Sequence, residues 1–171
     1  FSVGGDGTFL HSVLNIRNFD IPVVGVNSGR LGFLADISED QVHNALTQIF
    51  NHNYTLVERT MLEVNFQGQK NLDFNFALNE MTVLKTDTSS MINVYAYLDK
   101  ELLNNYWADG LIIATPTGST AYSLSVGGPI ITPDSENFVI TPLAPHNLTI
   151  RPLVVPDNYE IKLKVEGRGT H

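Results

Sequence analysis

The residues best placed to do chemistry are Gly4-Gly5-Asp6-Gly7-Thr8. They lie between strand-like Phe1-Ser2-Val3 and a segment with Phe9, Leu10, Val13 and Leu14 at helical spacing. The glycines let the backbone turn tightly and approach a ligand. A helix N-terminus behind them offers free N–H groups and partial positive charge, which suits phosphate. A carboxylate is out of place in a loop that only cradles phosphate. It has a purpose if Asp6 accepts a proton from an attacking hydroxyl. The same residues also read as a plain turn with Asp6 as helix N-cap, and the motif alone does not choose. The glycine spacing is not that of the Rossmann fingerprint, and the Gly-Lys-Ser/Thr end of a P-loop is missing.

A second loop, Asn27-Ser28-Gly29-Arg30-Leu31-Gly32-Phe33-Leu34, follows the apolar run Pro22-Val23-Val24-Gly25-Val26. Ligands gather at the carboxyl ends of strands in an open α/β sheet, so this loop is expected beside the first. There Phe33 could wall a base or ribose and Arg30 could meet a phosphate, or both could belong to an ordinary crossover. Asn79-Glu80 could bond ribose hydroxyls or an adenine edge, or form a surface turn. The most informative stretch runs from Trp107-Ala108-Asp109-Gly110 through Leu111-Ile112-Ile113-Ala114 to Thr115-Pro116-Thr117-Gly118-Ser119-Thr120-Ala121-Tyr122-Ser123-Leu124-Ser125 and Gly127-Gly128-Pro129. Its hydroxyls and backbone donors can hold phosphate or sugar without positive charge, and Tyr122 offers a flat face. His146 has no other histidine at metal spacing, so no protein metal site is proposed.

The elements that must position these residues change character near residue 51. Before it the pattern is α/β. Ser38 and Gln41 make a capping-box pattern, and Val42, Ala45, Leu46, Ile49 and Phe50 mark one helix face. After it the period is mostly two. Leu62, Val64 and Phe66 alternate with polar residues, as do Ile92, Val94, Ala96 and Leu98, and Ile161, Leu163 and Val165. The expected organisation is an α/β domain over residues 1–52 and a β-rich domain over 53–171, with no second strong helix after the boundary.

Composition bounds what such a chain can do. It has 171 residues, 43% hydrophobic and 16% charged, which is a globular composition. A net charge of -8 disfavours nucleic acid and anionic membrane surfaces as partners. The absence of cysteine excludes a disulfide scaffold and suits a reducing, cytoplasmic setting. The longest uncharged stretch, residues 110–133, is broken by Gly, Pro, Ser and Thr and makes a poor membrane span.

Taken in order, Gly4-Gly5-Asp6-Gly7-Thr8, Gly29-Arg30-Leu31-Gly32-Phe33-Leu34, Asn79-Glu80, Asp109-Gly110 through Gly128-Pro129, and Pro145-His146 with Arg151-Pro152-Leu153 resemble the NAD kinase family over nearly the whole chain. The glycine motif is shared with diacylglycerol-type lipid kinases, whereas the Thr-Pro-Thr-Gly-Ser-Thr-Ala-Tyr run is far more specific. The resemblance implies a Rossmann-like α/β N-terminal domain, partial here, followed by a β-sandwich. It implies transfer of the γ-phosphoryl group of ATP, or polyphosphate, to the 2′-hydroxyl of the adenosine ribose of NAD, with Mg²⁺ on the ATP oxygens and a homodimer or homotetramer. It further implies that Asp6 is the base and that Gly7 lies against NAD. Phe33 would line the adenosine pocket, and Asn79 and Glu80 would hold ribose and adenine. Asp109 would reach the nicotinamide end with Trp107 close by. Thr120, Ala121, Tyr122, Ser123, Leu124 and Ser125 would line the cleft, joined by Ser90 and His146, with Gly4, Gly5 and Thr8 near the ATP phosphates. Family members have elements before the glycine motif and after the last strand, so the chain is expected to lack an N-terminal part and a C-terminal end. Asp6→Asn is expected to keep NAD binding and lose most turnover. A lipid kinase and a non-catalytic dinucleotide-binding protein are the other readings.

Overall fold

A computed structural model describes residues 1–16, 19–29, 32–67, 74–86 and 90–167. Contacts divide the chain into two units, Phe1–Glu58 and Arg59–His171. The division falls six residues beyond the expected boundary, because the extended segment after the second helix stays with the first unit.

The first unit is α/β. Its elements are β1 (Ser2–Val3), α1 (Asp6–Ile16), β2 (Gly25–Asn27), β3 (Ile37–Ser38), a 3₁₀ turn (Glu39–Gln41) and α2 (Val42–Phe50). The strands are parallel in the order β1-β2-β3. Helix α1 begins at Asp6, three residues before the apolar periodicity starts, because Gly5 already accepts the N–H groups of Thr8 and Phe9 at 3.0 and 3.1 Å. Strand β2 starts at Gly25, later than the apolar run suggests, and all of it is buried. The capping box forms as expected: the Ser38 N–H donates to Gln41 Oε1 at 3.3 Å and leads into α2. That helix stops where His52 takes φ 56, a left-handed residue that ends an α-helix.

The second unit is a β-sandwich. Its strands are β4 (Leu62–Glu63), β5 (Phe76–Ala77), β6 (Glu80–Leu84), β7 (Ile92–Leu98), β8 (Glu101–Ala108), β9 (Gly110–Ala114), β10 (Asn137–Leu143), β11 (Leu153–Pro156) and β12 (Ile161–Glu166). A four-stranded sheet runs β11-β10-β9-β6, and a three-stranded one β12-β7-β8. Strands β7 and β8 are joined by Asp99 and Lys100, both at positive φ, the backbone of a tight hairpin whose twist matches the strands. Alternation sorts the core. Leu111, Ile113 and Ile140 meet Val94, Ala96 and Tyr106 from the other sheet. Ile112, Ala114, Val139 and Leu143 face the opposite way, against Val126 and Ile131. Strand β9 is covered on both faces, which is why it is a continuous apolar run. The expected alternation of Leu62, Val64 and Phe66 yields only the short β4, and Phe66 is exposed. One short helix appears where none was expected, α3 (Tyr122–Ser125), after a 3₁₀ turn at Thr117–Thr120. Among the described residues no helix is long and apolar enough to cross a membrane.

Candidate functional site

In the first unit the glycine turn delivers Asp6 to the loop that follows β2. Gly4 sits at φ +149, and a Cβ there would overlap the Thr8 side chain, so this position requires glycine twice over. Asp6 does not cap its own helix. It is the first residue of α1, and its carboxylate reaches across to the backbone of residues 33–35. Oδ2 accepts the Phe33 N–H at 2.8 Å, and Oδ1 accepts those of Leu34 and Ala35 at 3.0 and 3.1 Å. Burial pulls the Asp6 carboxyl up, but the three N–H donors outweigh it and hold the group below its ordinary value of 3.8. Gly32 makes this reach possible, since a Cβ there would fall on the carboxylate. Phe33 has its backbone anchored by Asp6 while its ring stays 72% exposed. Gly5, Gly7 and Thr8 are exposed and Gly4 is half-buried. Arg30 lies outside the described residues.

In the second unit β6 and β9 bring Asn79-Glu80 against the Thr-Pro-Thr-Gly-Ser-Thr turn. Glu80 pairs with Ala114 in the ladder, and the Thr115 N–H donates to the Asn79 carbonyl at 2.9 Å. Asn79 Oδ1 and Glu80 Oε2 are both buried, and neither has a hydrogen-bond partner. Burial drives the Glu80 carboxyl up, opposed by the backbone N–H groups of Ser123 and Tyr122, and the net direction is above its ordinary 4.5. Two adjacent buried acceptors without donors cost free energy unless something supplies the donors.

The turn beside them is fixed from within. Ser119 Oγ donates to the Pro116 carbonyl at 2.7 Å and accepts the Ile131 N–H at 3.0 Å. Ser123 Oγ bonds Thr141 Oγ1 at 2.8 Å in the core. Ser123 is therefore turned away from solvent, whereas Tyr122, Leu124 and Ser125 are exposed and Thr120 and Ala121 half-buried. Ser123→Ala is expected to lower stability by about 1–2 kcal/mol, by stranding the Thr141 hydroxyl. Urea unfolding measures it, and a loss near zero would show that Thr141 finds another partner.

Strand β10 is followed by Ala144, held at φ 42, which turns the chain so that the His146 N–H reaches the Trp107 carbonyl at 2.9 Å. The two rings stack with centroids 4.2 Å apart, and Trp107 remains 47% exposed. Asp109 is paired with Lys85 Nζ at 2.6 Å. Ser90 lies half-buried just ahead of β7. Among the described residues no group of three or more His, Asp or Glu is gathered as cation ligands.

Sequence reasoning missed Lys85, the Ser119 bridge and the Ser123–Thr141 bond. Thr141 had a visible signal, a hydroxyl inside the apolar run Phe138-Val139-Ile140. Lys85 had none, because an ion pair between neighbouring strands depends on register.

A parallel α/β unit with an Asp-bearing glycine turn, joined to a β-sandwich with a hydroxyl-rich loop, defines a two-domain kinase architecture. Sequence profiles agree: that of the ATP-NAD kinase N-terminal domain matches residues 2–54, and that of the ATP-NAD kinase C-terminal domain residues 78–171. The chain belongs to the NAD kinase family. It is 55% identical over 169 residues to the NAD kinase of Flavobacterium psychrophilum, covering 98% of this chain and 58% of that protein. It is 50% identical over 168 residues to that of Bacteroides fragilis, with the same coverage. The chain thus spans 58% of the length of these curated relatives. Among solved structures, yeast NADH kinase complexed with NADH matches at TM-score 0.88 and 33% identity, covering 95% of this chain and 49% of that one. The NAD kinase of Archaeoglobus fulgidus in complex with ATP matches at 0.83 and 33%, covering 96% and 63%.

Proposed function

We propose that this chain binds NAD and ATP and phosphorylates NAD to NADP at the 2′-hydroxyl of the adenosine ribose. The observation that carries this is the pair of buried, unpartnered acceptors, Asn79 Oδ1 and Glu80 Oε2, at the start of β6. A ribose hydroxyl or an adenine amino group supplies the donors they lack. The yeast and archaeal relatives were crystallised with NADH and with ATP, which fits both substrates.

Asp6 is the group proposed to take the ribose proton. A carboxylate has about four lone-pair directions, and three are used by backbone N–H groups. One is left for the attacking hydroxyl. In a loose phosphoryl-transfer transition state the proton leaves late, so an acceptor that aims the hydroxyl serves even when its basicity is low. Mg²⁺ would enter with ATP and would supply neutralisation of the phosphate charge during transfer, with Gly4, Gly5 and Thr8 near those phosphates. Phe33 lines the adenosine pocket, Tyr122 and its neighbours line the ligand cleft, and Asp109 and Trp107 face the nicotinamide end. Polyphosphate as a second donor, assembly as a homodimer or homotetramer, and a cytoplasmic location belong to the same proposal.

The test is incubation with NAD, ATP and Mg²⁺ and assay of the product. NADP formation is expected. NAD binding by calorimetry without any NADP would instead make the protein a dinucleotide sensor. The family assignment leaves the lipid-kinase reading without support.

A further inference from the structure

We infer that Thr115 is a positioning residue for the dinucleotide, the clasp that sets the aim of Asn79 and Glu80. The inference rests on the proposed NAD-binding role of those two residues. Thr115 is fully buried at the point where β9 ends. Its N–H donates to the Asn79 carbonyl at 2.9 Å, and its Oγ1 donates to the Leu78 carbonyl at 2.5 Å. The same Oγ1 accepts the Gly118 N–H at 3.1 Å. One side chain thus ties the strand entering β6 to the turn behind it.

Gly118 closes the clasp from the other side, because a Cβ there would overlap the Asn79 carbonyl. The backbone on both sides of the Asn79 side chain is held by these bonds and by that contact. Asn79 Oδ1 lies buried and without a partner on that fixed backbone. A fixed backbone narrows where the amide can point and spares the ligand part of the cost of ordering it.

Valine keeps the shape of threonine and removes Oγ1, leaving the Leu78 carbonyl and the Gly118 N–H without their partner. Serine keeps Oγ1. In the full chain, Thr115→Val is expected to raise the KM for NAD about tenfold or more while the KM for ATP stays within about twofold. Thr115→Ser is expected to return the NAD KM to within about twofold of the parent. A role in folding alone gives another signature, a fall in kcat through less active protein with both KM values unchanged. Thr115→Ala, read the same way, replaces the valine variant if that variant does not fold. An unchanged NAD KM, a parallel rise in both KM values, or a serine variant no better than valine overturns the clasp. If the parent makes no NADP, the proposed activity falls and the inference with it. If the parent is active and the valine variant keeps its NAD KM, only the clasp falls.

Discussion

Replacing Asp6 with Asn is expected to lower turnover of NAD by about 10²–10³-fold and to raise the KM for NAD at the same time. The first effect is loss of the proposed proton acceptor. The second departs from what the sequence suggests, which is intact binding. The Asp6 carboxylate carries the backbone of residues 33–35 on three N–H bonds. An Asn side chain has one acceptor oxygen, and its amide would present a donor to at least one of those N–H groups. The loop then shifts, and Phe33 shifts with it. Steady-state kinetics and NAD calorimetry read the two effects separately. Turnover near the parent's would show that the carboxylate is not the acceptor, and an unchanged NAD KM would show that the loop holds its place without it.

The pH dependence follows from opposite signs at two carboxyls. Burial raises the Asp6 carboxyl but the backbone donors win, so its folded value lies below 3.8. Its contribution to stability is present above the unfolded value and disappears only as pH falls through the folded one. Asp6 is therefore ionised throughout the range in which the protein is assayed. Glu80 is the reverse: burial lifts it above 4.5. Its ionised form is less welcome in the folded state, so stability declines as pH rises from the unfolded value through the folded one. A ligand donor at Oε2 relieves that cost. An acid limb in kcat/KM for NAD thus belongs to Glu80 before Asp6.

Much of this was legible in the residues themselves. Period two at Ile92, Val94 and Ala96 gave β7 with its correct face, because one side of that strand meets the core. The apolar run Leu111-Ile112-Ile113-Ala114 gave a strand buried on both faces. Ser38 and Gln41 gave a helix start, because a capping box is local chemistry. What stayed hidden depends on contacts between distant segments. That the two loops are neighbours was expected, but that the Asp6 carboxylate takes the N–H groups of residues 33–35 depends on the backbone path past Gly32, which residue types do not reveal. That Ser123 points inward requires the helix α3, which has four residues and too short a period to read. The partnerless state of Asn79 and Glu80 is invisible in a dipeptide, since it is a property of everything packed around them.

Gly32→Ala is expected to remove turnover by about the same 10²-fold or more as the loss of Asp6 itself. The physical reason is steric and specific. A Cβ on Gly32 would fall on the Asp6 carboxylate, whereas the Gly32 backbone is outside the left-handed region and accepts alanine. The yielding partner is the free end of a side chain, so Asp6 rotates away and the fold survives. Stability should fall by about 1–3 kcal/mol, since the exposed Phe33 N–H can turn to water while those of half-buried Leu34 and buried Ala35 lose their acceptor. The decisive measurement is a double-mutant cycle. If Gly32 acts through Asp6, then Asp6→Asn and Gly32→Ala together cost no more than the worse of the two alone, because the second change removes nothing that remains. Additive losses would mean that Gly32 serves the reaction by another route, such as close approach of its backbone to the substrate. Full turnover in Gly32→Ala would mean that the carboxylate works from a different position than the one held by residues 33–35.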